Sequence, residues 1–281
     1  MPELPEVETI ARGLHQRVAG DTIQSIWLGQ KPEPLKSSAE EIARVVEHAR
    51  ILRVRRVGKH IVFDLEQTGR RRGRSPRRGQ WVVHLGMTGR MQVTTPEVEI
   101  AKHTHAIATL ASGRELRFVD PRRFGRLAVV SNASQTSAGF EASGDEPLDS
   151  QAERFIELFR GRKTPIKSAL LNQKLLSGVG NIYADESLFR AGIRPRRRAA
   201  TLTREQLRKL HASLQEVLQE AISLGGSSVS DYVDADGKEG FFQLQHRVYG
   251  REGQPCLVCG TPIKRVVISG RSSHYCSHCQ K

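Results

Sequence analysis

Cysteine is absent before position 256, and the four cysteines of the chain all lie from there on. That excludes a disulfide framework spread over the fold. No run of about 18 apolar residues occurs, so no membrane span is expected. No charged stretch leading into an apolar one opens the chain, so a secretory signal is not expected and a cytoplasmic location is. No internal repeat is visible. Acidic residues are also scarce: 30 Asp and Glu stand against 44 Lys and Arg, a net charge of +14. Such an excess suits a polyanion partner, nucleic acid first. Charge alone fits a ribosome-associated or merely basic protein equally well.

The 281 residues suffice for one large domain or two smaller ones. Residues 5–18 read as a helix, with Val7, Ile10, Ala11, Leu14 and Val18 at helical spacing. Pro5 suits its first turn, and Glu6 and Glu8 suit the positive end of its dipole. A helix start does not account for Pro2 and Glu3. Strand-like runs follow at 22–28, 51–57, 61–65, 81–85, 91–95, 105–110, 115–119 and 127–130, with a short helix at 40–49. Many short strands between turn residues predict a β-sandwich or barrel.

GRRRGRSPRRG, residues 69–79, carries six arginines in eleven residues and reads as a solvated hairpin loop attracted to phosphate. Residues 131–150 read as a linker. Short helices are expected at 165–171 and 182–191, the second with Asn181 as N-cap and Gly192 and Pro195 ending it. Residues 203–224 read as a long helix, with a Thr203–Gln206 capping box and Gly225 as its stop. A Gly/Ser/Asp-rich stretch, 225–240, precedes the cysteines.

Cys256 and Cys259, then Cys276 and Cys279, form two CxxC knuckles separated by sixteen residues. This spacing matches a tetrahedral four-thiolate zinc site. His274 and His278 are possible substitutes, but four cysteines already complete the set. A closed four-cysteine site is structural and activates no water. One structural Zn2+ is therefore expected, shaping a hairpin with a strand at 264–268.

MPELPEVET at the start, GKHIVFDL, HLGMTGRM, KHTH at 102–105, DPRRFGRL at 120–127, GVGNIYADESLFRAGI at 178–193, DGKEGFFQLQHRVYGREGQPC at 236–256 and the cysteine hairpin occur in that order. As a set they resemble the bacterial formamidopyrimidine-DNA glycosylases. The resemblance implies an α+β protein. An N-terminal β-sandwich with a terminal helix (1–132) and a linker (133–150) would precede a helix-two-turns-helix domain with a lesion-recognition loop (151–240) and a zinc-finger hairpin (241–281). It further implies a monomer acting on double-stranded DNA with oxidised purines, in the cytoplasm and at the nucleoid.

With the family comes a role for the opening. If Met1 is removed, Pro2 presents a secondary amine of pKa about 8, far more often unprotonated at neutral pH than lysine. Such an amine can attack the anomeric carbon of a damaged nucleotide and form an iminium. Glu3 beside it is implied as general acid/base, with Glu6 behind it. Lys59 is implied to contact lesion and phosphate and to assist β-elimination. Arg271 would clamp the flanking phosphates and aid δ-elimination, a task suited to a guanidinium fork.

Base removal from a duplex requires extruding the nucleotide. Met87, Arg122 and Phe124 match the wedge that fills the gap, Arg122 facing the orphaned cytosine. His103, Arg122, Arg162 and Asn181 are implied DNA contacts. Asn181 follows Gly178 and Gly180, where helix N–H groups can face a phosphate. Arg162 replaces the family's frequent lysine, and the 69–79 loop replaces a short turn. Residues 225–240 match a loop that folds over the extruded base.

Two other readings remain. A related endonuclease for oxidised pyrimidines shares the proline, the lysine and the zinc hairpin, but typically has Gly where this chain has Leu4 and lacks this wedge. A noncatalytic zinc-ribbon DNA-binding protein would suit the charge and the metal, yet gives no reason for Pro2, Glu3 and Lys59.

Overall fold

The structure is a computed structural model, and it describes residues 1–67, 76–131, 144–228 and 240–281. The chain divides into two compact units, Met1–Glu141 with Ser227–Gly240, and Ala142–Gly226 with Phe241–Lys281. Most of the arginine-rich loop, most of the linker and most of the 225–240 stretch lie outside the described residues.

The first unit opens with helix α1 (Leu4–Val18). It continues through β1 (Ile23–Leu28), α2 (Ala39–Val46), β2 (Arg50–Val57), β3 (His60–Gln67), β4 (Arg77–His84), β5 (Arg90–Thr94), β6 (Thr104–Leu110), β7 (Glu115–Val119) and β8 (Arg126–Ser131). The strands form two antiparallel four-stranded sheets, ordered β1-β6-β7-β5 and β2-β3-β4-β8. Alternate residues of β3 and β4, Ile61, Phe63, Leu65, Trp81 and Val83, enter one core shared with the other sheet and both helices.

Two boundaries differ from the sequence reading for local reasons. Helix α2 stops at Val46 rather than Ala49, because His48 turns left-handed (φ 59) and donates its N–H to Ile23. Arg77 and Arg78 belong to β4, paired with Gln67 and Glu66, and not to a loop.

The second unit is helical before the cysteines: α3 (Ala152–Phe159), α4 (Ile166–Leu170), α5 (Asn181–Ala191) and α6 (Arg204–Ser223), with 3-10 turns at Ala199–Thr201 and Phe242–Gln245. The Thr203–Gln206 capping box forms, and Leu207, Leu210, Leu214, Val217, Leu218 and Ala221 are the buried stripe of α6. Helix α5 ends on Gly192 in the left-handed region (φ 74). Its N-cap is Gly180, not Asn181. Asn181 is the first helical residue, and its side chain is drawn instead to Ser272 Oγ at 3.3 Å. The unit closes with the hairpin β9 (Lys264–Ile268) and β10 (Arg271–Tyr275). The end of the stretch read as a linker is bonded to this unit instead: the Asp145 N–H donates to the Leu175 carbonyl, and the Asp145 carbonyl accepts the Ser177 N–H.

Candidate functional site

At the head of α1, Pro2 is buried and Glu3 is 5% exposed, while Met1 is 48% exposed. Glu3 is the N-cap of α1 in a capping box with Glu6, so the helix start does account for Glu3, contrary to the sequence reading; its N–H donates to Glu6 Oε2 at 2.8 Å. Glu6 Oε1 accepts from the Ser227 N–H at 2.8 Å. The Glu6 carboxylate thus accepts two backbone N–H groups, one on the helix cap and one at Ser227.

Lys59 sits in the two-residue turn between β2 and β3, where Val57 pairs with His60. Gly58 takes the positive φ (58°) that the first position of such a turn demands. His60 pairs with His84 across the sheet, their rings 4.9 Å apart. Burial, joined by the charges of His60, Arg126 and Lys59, lowers the His84 pKa to about 4. His84 is therefore neutral, and its Nδ1 accepts the Gly86 N–H at 3.1 Å. The Lys59 turn and the start of the Met87 loop thus lie at one end of this sheet.

Met87, Arg122 and Phe124 are brought together by a buried carboxylate that the sequence reading did not single out. Asp120 is fully buried; its Oδ1 accepts from Thr88 Oγ1 (2.6 Å) and the Arg122 N–H (3.3 Å), and its Oδ2 from the Gly125 N–H (2.7 Å). One side chain thereby fixes both loops. Gly86 completes the contact: φ is +63°, and a Cβ there would lie 2.5 Å from the Phe124 carbonyl carbon. Above this base Met87 is 40% and Phe124 53% exposed. The Arg122 guanidinium lies 5.0 Å from the Phe124 ring centroid, in cation–π range. The His103 carbonyl accepts the Asp120 N–H, so His103 borders the same platform.

In the second unit Arg271 is exposed and opens β10, directly after the Ser269–Gly270 turn, whose two residues both have positive φ. The hairpin is pinned to the helices. Lys167 Nζ lies 2.7 Å from Asp185 Oδ1, both side chains fully buried, and donates to the Ser272 carbonyl at 2.6 Å. Asp185 Oδ2 accepts the His274 N–H at 2.9 Å. Asn181 therefore lies beside Arg271's neighbour. Arg162 is apart from this cluster, its Nε donating to the Leu158 carbonyl.

The sulfurs of Cys256, Cys259, Cys276 and Cys279 lie within 4.8 Å of one another. A tetrahedral zinc with Zn–S near 2.3 Å requires sulfur separations of about 3.8 Å. Cys256–Cys279 at 3.9 Å and Cys259–Cys276 at 3.5 Å fit that tetrahedron. His274 is held by Asp185 and takes no part. These residues build one structural zinc site.

Three family models match: the formamidopyrimidine-DNA glycosylase N-terminal domain over 1–127, its H2TH domain over 144–233, and the zinc finger found in FPG and IleRS over 253–281. The formamidopyrimidine-DNA glycosylase of Solibacter usitatus is 45% identical, with all of both chains covered. That of Thermus thermophilus is also 45% identical, over all of this chain and 98% of its own. The chain belongs to the formamidopyrimidine-DNA glycosylase family. With membership goes DNA glycosylase activity in the repair of oxidised bases. Among solved structures, the MutM (Fpg) protein of Thermus thermophilus matches with TM-score 0.83 and 42% identity, covering 99% of this chain and 98% of that one. A Lactococcus lactis Fpg variant in complex with Fapy-dG containing DNA matches with TM-score 0.88 and 33% identity, with both chains fully covered. The wild-type protein of that organism, in complex with oxidised-pyrimidine DNA, matches with TM-score 0.86 and 32% identity, again over all of both chains.

Proposed function

We propose that the protein is a bifunctional glycosylase and abasic-site lyase that excises oxidised purines, 8-oxoguanine and formamidopyrimidines, from double-stranded DNA. The observation that carries this reading is the place of Pro2 and Glu3, adjacent at the head of a helix docked on the sheet that carries Lys59. Removal of the exposed Met1 frees the Pro2 nitrogen. The amine attacks C1′ as the glycosidic bond breaks, and the base leaves with the bonding electrons. Glu3 protonates the opened sugar oxygen, and an iminium joins Pro2 to the sugar. Lys59 assists β-elimination, and Arg271 holds phosphate and assists δ-elimination.

Met87, Arg122 and Phe124 fill the gap left by the extruded nucleotide. His103, Asn181 and Arg162 contact the DNA backbone, and the +14 charge makes binding strongly salt-dependent. The protein works as a monomer in the cytoplasm. No described helix is long and apolar enough to cross a membrane.

One second reading has an observation behind it: the neighbouring Lactococcus structure holds oxidised-pyrimidine DNA. Borohydride trapping separates the two. Duplexes carrying 8-oxoguanine opposite cytosine, or an oxidised pyrimidine, are mixed with protein lacking Met1, reduced, and mapped by mass spectrometry. The expected product is a Pro2 adduct with the purine duplex. An adduct only with the pyrimidine duplex moves the assignment to the second reading. Binding with no adduct on either overturns the covalent mechanism.

A further inference from the structure

We propose that Arg56 is a positioning residue that holds α1, which carries Pro2 and Glu3, in register with the turn that carries Lys59. The inference rests on the proposed roles of those three residues. Arg56 lies on β2, and its side chain is 6% exposed. Its Nε donates to Glu8 Oε2 on α1 at 2.8 Å. Its Nη1 donates to the Gly58 carbonyl at 3.2 Å. That carbonyl belongs to the peptide joining Gly58 to Lys59, so fixing it fixes how Lys59 leaves the turn. Glu8 is one helical turn beyond Leu4, so the same guanidinium also fixes the helix near its head. A planar fork with diverging donors serves two such directions at once, and an ammonium does so poorly.

A plain helix-to-sheet staple is the competing explanation. The helix has that already: His15 Nδ1 accepts the Val54 N–H at 3.2 Å, and Val7, Ile10 and Leu14 sit in the core. Neither reaches the turn. A largely buried ion pair is in addition a weak source of stability, because desolvation offsets the attraction. What Arg56 adds is the bond to the turn carbonyl, and that bond bears on geometry. Glu8 also pairs with exposed Arg12 at 2.7 Å, which keeps its carboxylate aligned from the outer side.

The test is a double-mutant cycle on cleavage of an abasic-site duplex, with kcat, duplex Kd and borohydride-trapped fraction measured. Arg56→Met is expected to lower kcat and trapping roughly tenfold to a hundredfold while duplex Kd is kept. In a Lys59→Ala background the same change is expected to cost no more than about threefold, because the residue it orients is gone. Arg56→Lys, which keeps the charge toward Glu8, is expected to lie between. It carries the cycle if Arg56→Met does not fold by circular dichroism. Equal fold-losses in both backgrounds, or a loss confined to Kd, overturn the proposal. Lys59→Ala alone is measured first. Wild-type kcat in that variant overturns the role of Lys59, and this proposal with it, before Arg56 is changed.

Discussion

Two side chains organise the first unit without being among its proposed reacting groups. Asp120 makes a carboxylate the shared acceptor of two loops, and His84 makes a neutral imidazole the acceptor for Gly86. The second arrangement has a consequence for stability. The folded His84 has a pKa of about 4 against an ordinary 6.5, so it resists protonation that the unfolded chain accepts. Its contribution is complete above pH 6.5 and is lost as pH falls toward 4, because the unfolded state then binds more protons. The full shift corresponds to about 3 kcal/mol. Trp27 and Trp81 both lie in this unit, and Trp81 shares β4 with His84, so tryptophan fluorescence reports its unfolding. Urea midpoints from pH 7 to 4 are expected to fall more steeply for the wild type than for His84→Gln. Parallel slopes show that His84 is protonated in the folded state.

The elements owe their places to pairings of unequal legibility in sequence. Helices α1 and α6 and most strands followed from apolar periodicity and capping residues, because one face of each meets a core. The Thr203–Gln206 box and the left-handed Gly192 are local, and they were readable for that reason. Lys167 was not. A lysine in a short helix reads as surface, and only tertiary structure sets Asp185 and the Ser272 carbonyl around its ammonium. Asn181 misled as an N-cap for the same reason, since its partner is on β10, 91 residues away. Asp120 opens DPRRFGRL, and nothing in that run signals that it ties Thr88 to Gly125. The buried pair also yields a prediction about the hairpin. Asp185→Asn leaves the Lys167 charge uncompensated and is expected to destabilise the second unit by about 3–5 kcal/mol. The double change Lys167→Met with Asp185→Leu is expected to recover most of that. Hydrogen exchange of α5 and β10 measures both, and equal losses in the two variants indicate that packing, not charge, holds the hairpin.

At the scale of the molecule, the zinc is a fold element of the second unit alone. The cysteine module has a small apolar cluster: Cys256, Ile263 and Cys276, which flank the two strands, share it with Phe189 and Val248. A two-stranded hairpin of this size is marginal by itself in water, so metal–thiolate bonds must supply what the core does not. The chain end depends on the same module. Lys281 donates its N–H to Gly192, Arg194 donates its own to Lys281, and Gln280 Nε2 reaches the Ile193 carbonyl. Chelation is therefore expected to expose amides over residues 253–281 and the 192–194 turn to hydrogen exchange. Protection in β3 and β4, whose core holds no cysteine, is expected to stay unchanged. Arg271 opens a strand of this hairpin, so the proposed phosphate clamp is expected to be lost with the metal although the proposed reaction uses no zinc. Borohydride trapping of the chelated protein is expected to fall with duplex affinity, and added zinc to restore both. Retained protection over 253–281 after the zinc is shown to be gone would mean that the Lys167–Asp185 anchor holds the hairpin unaided.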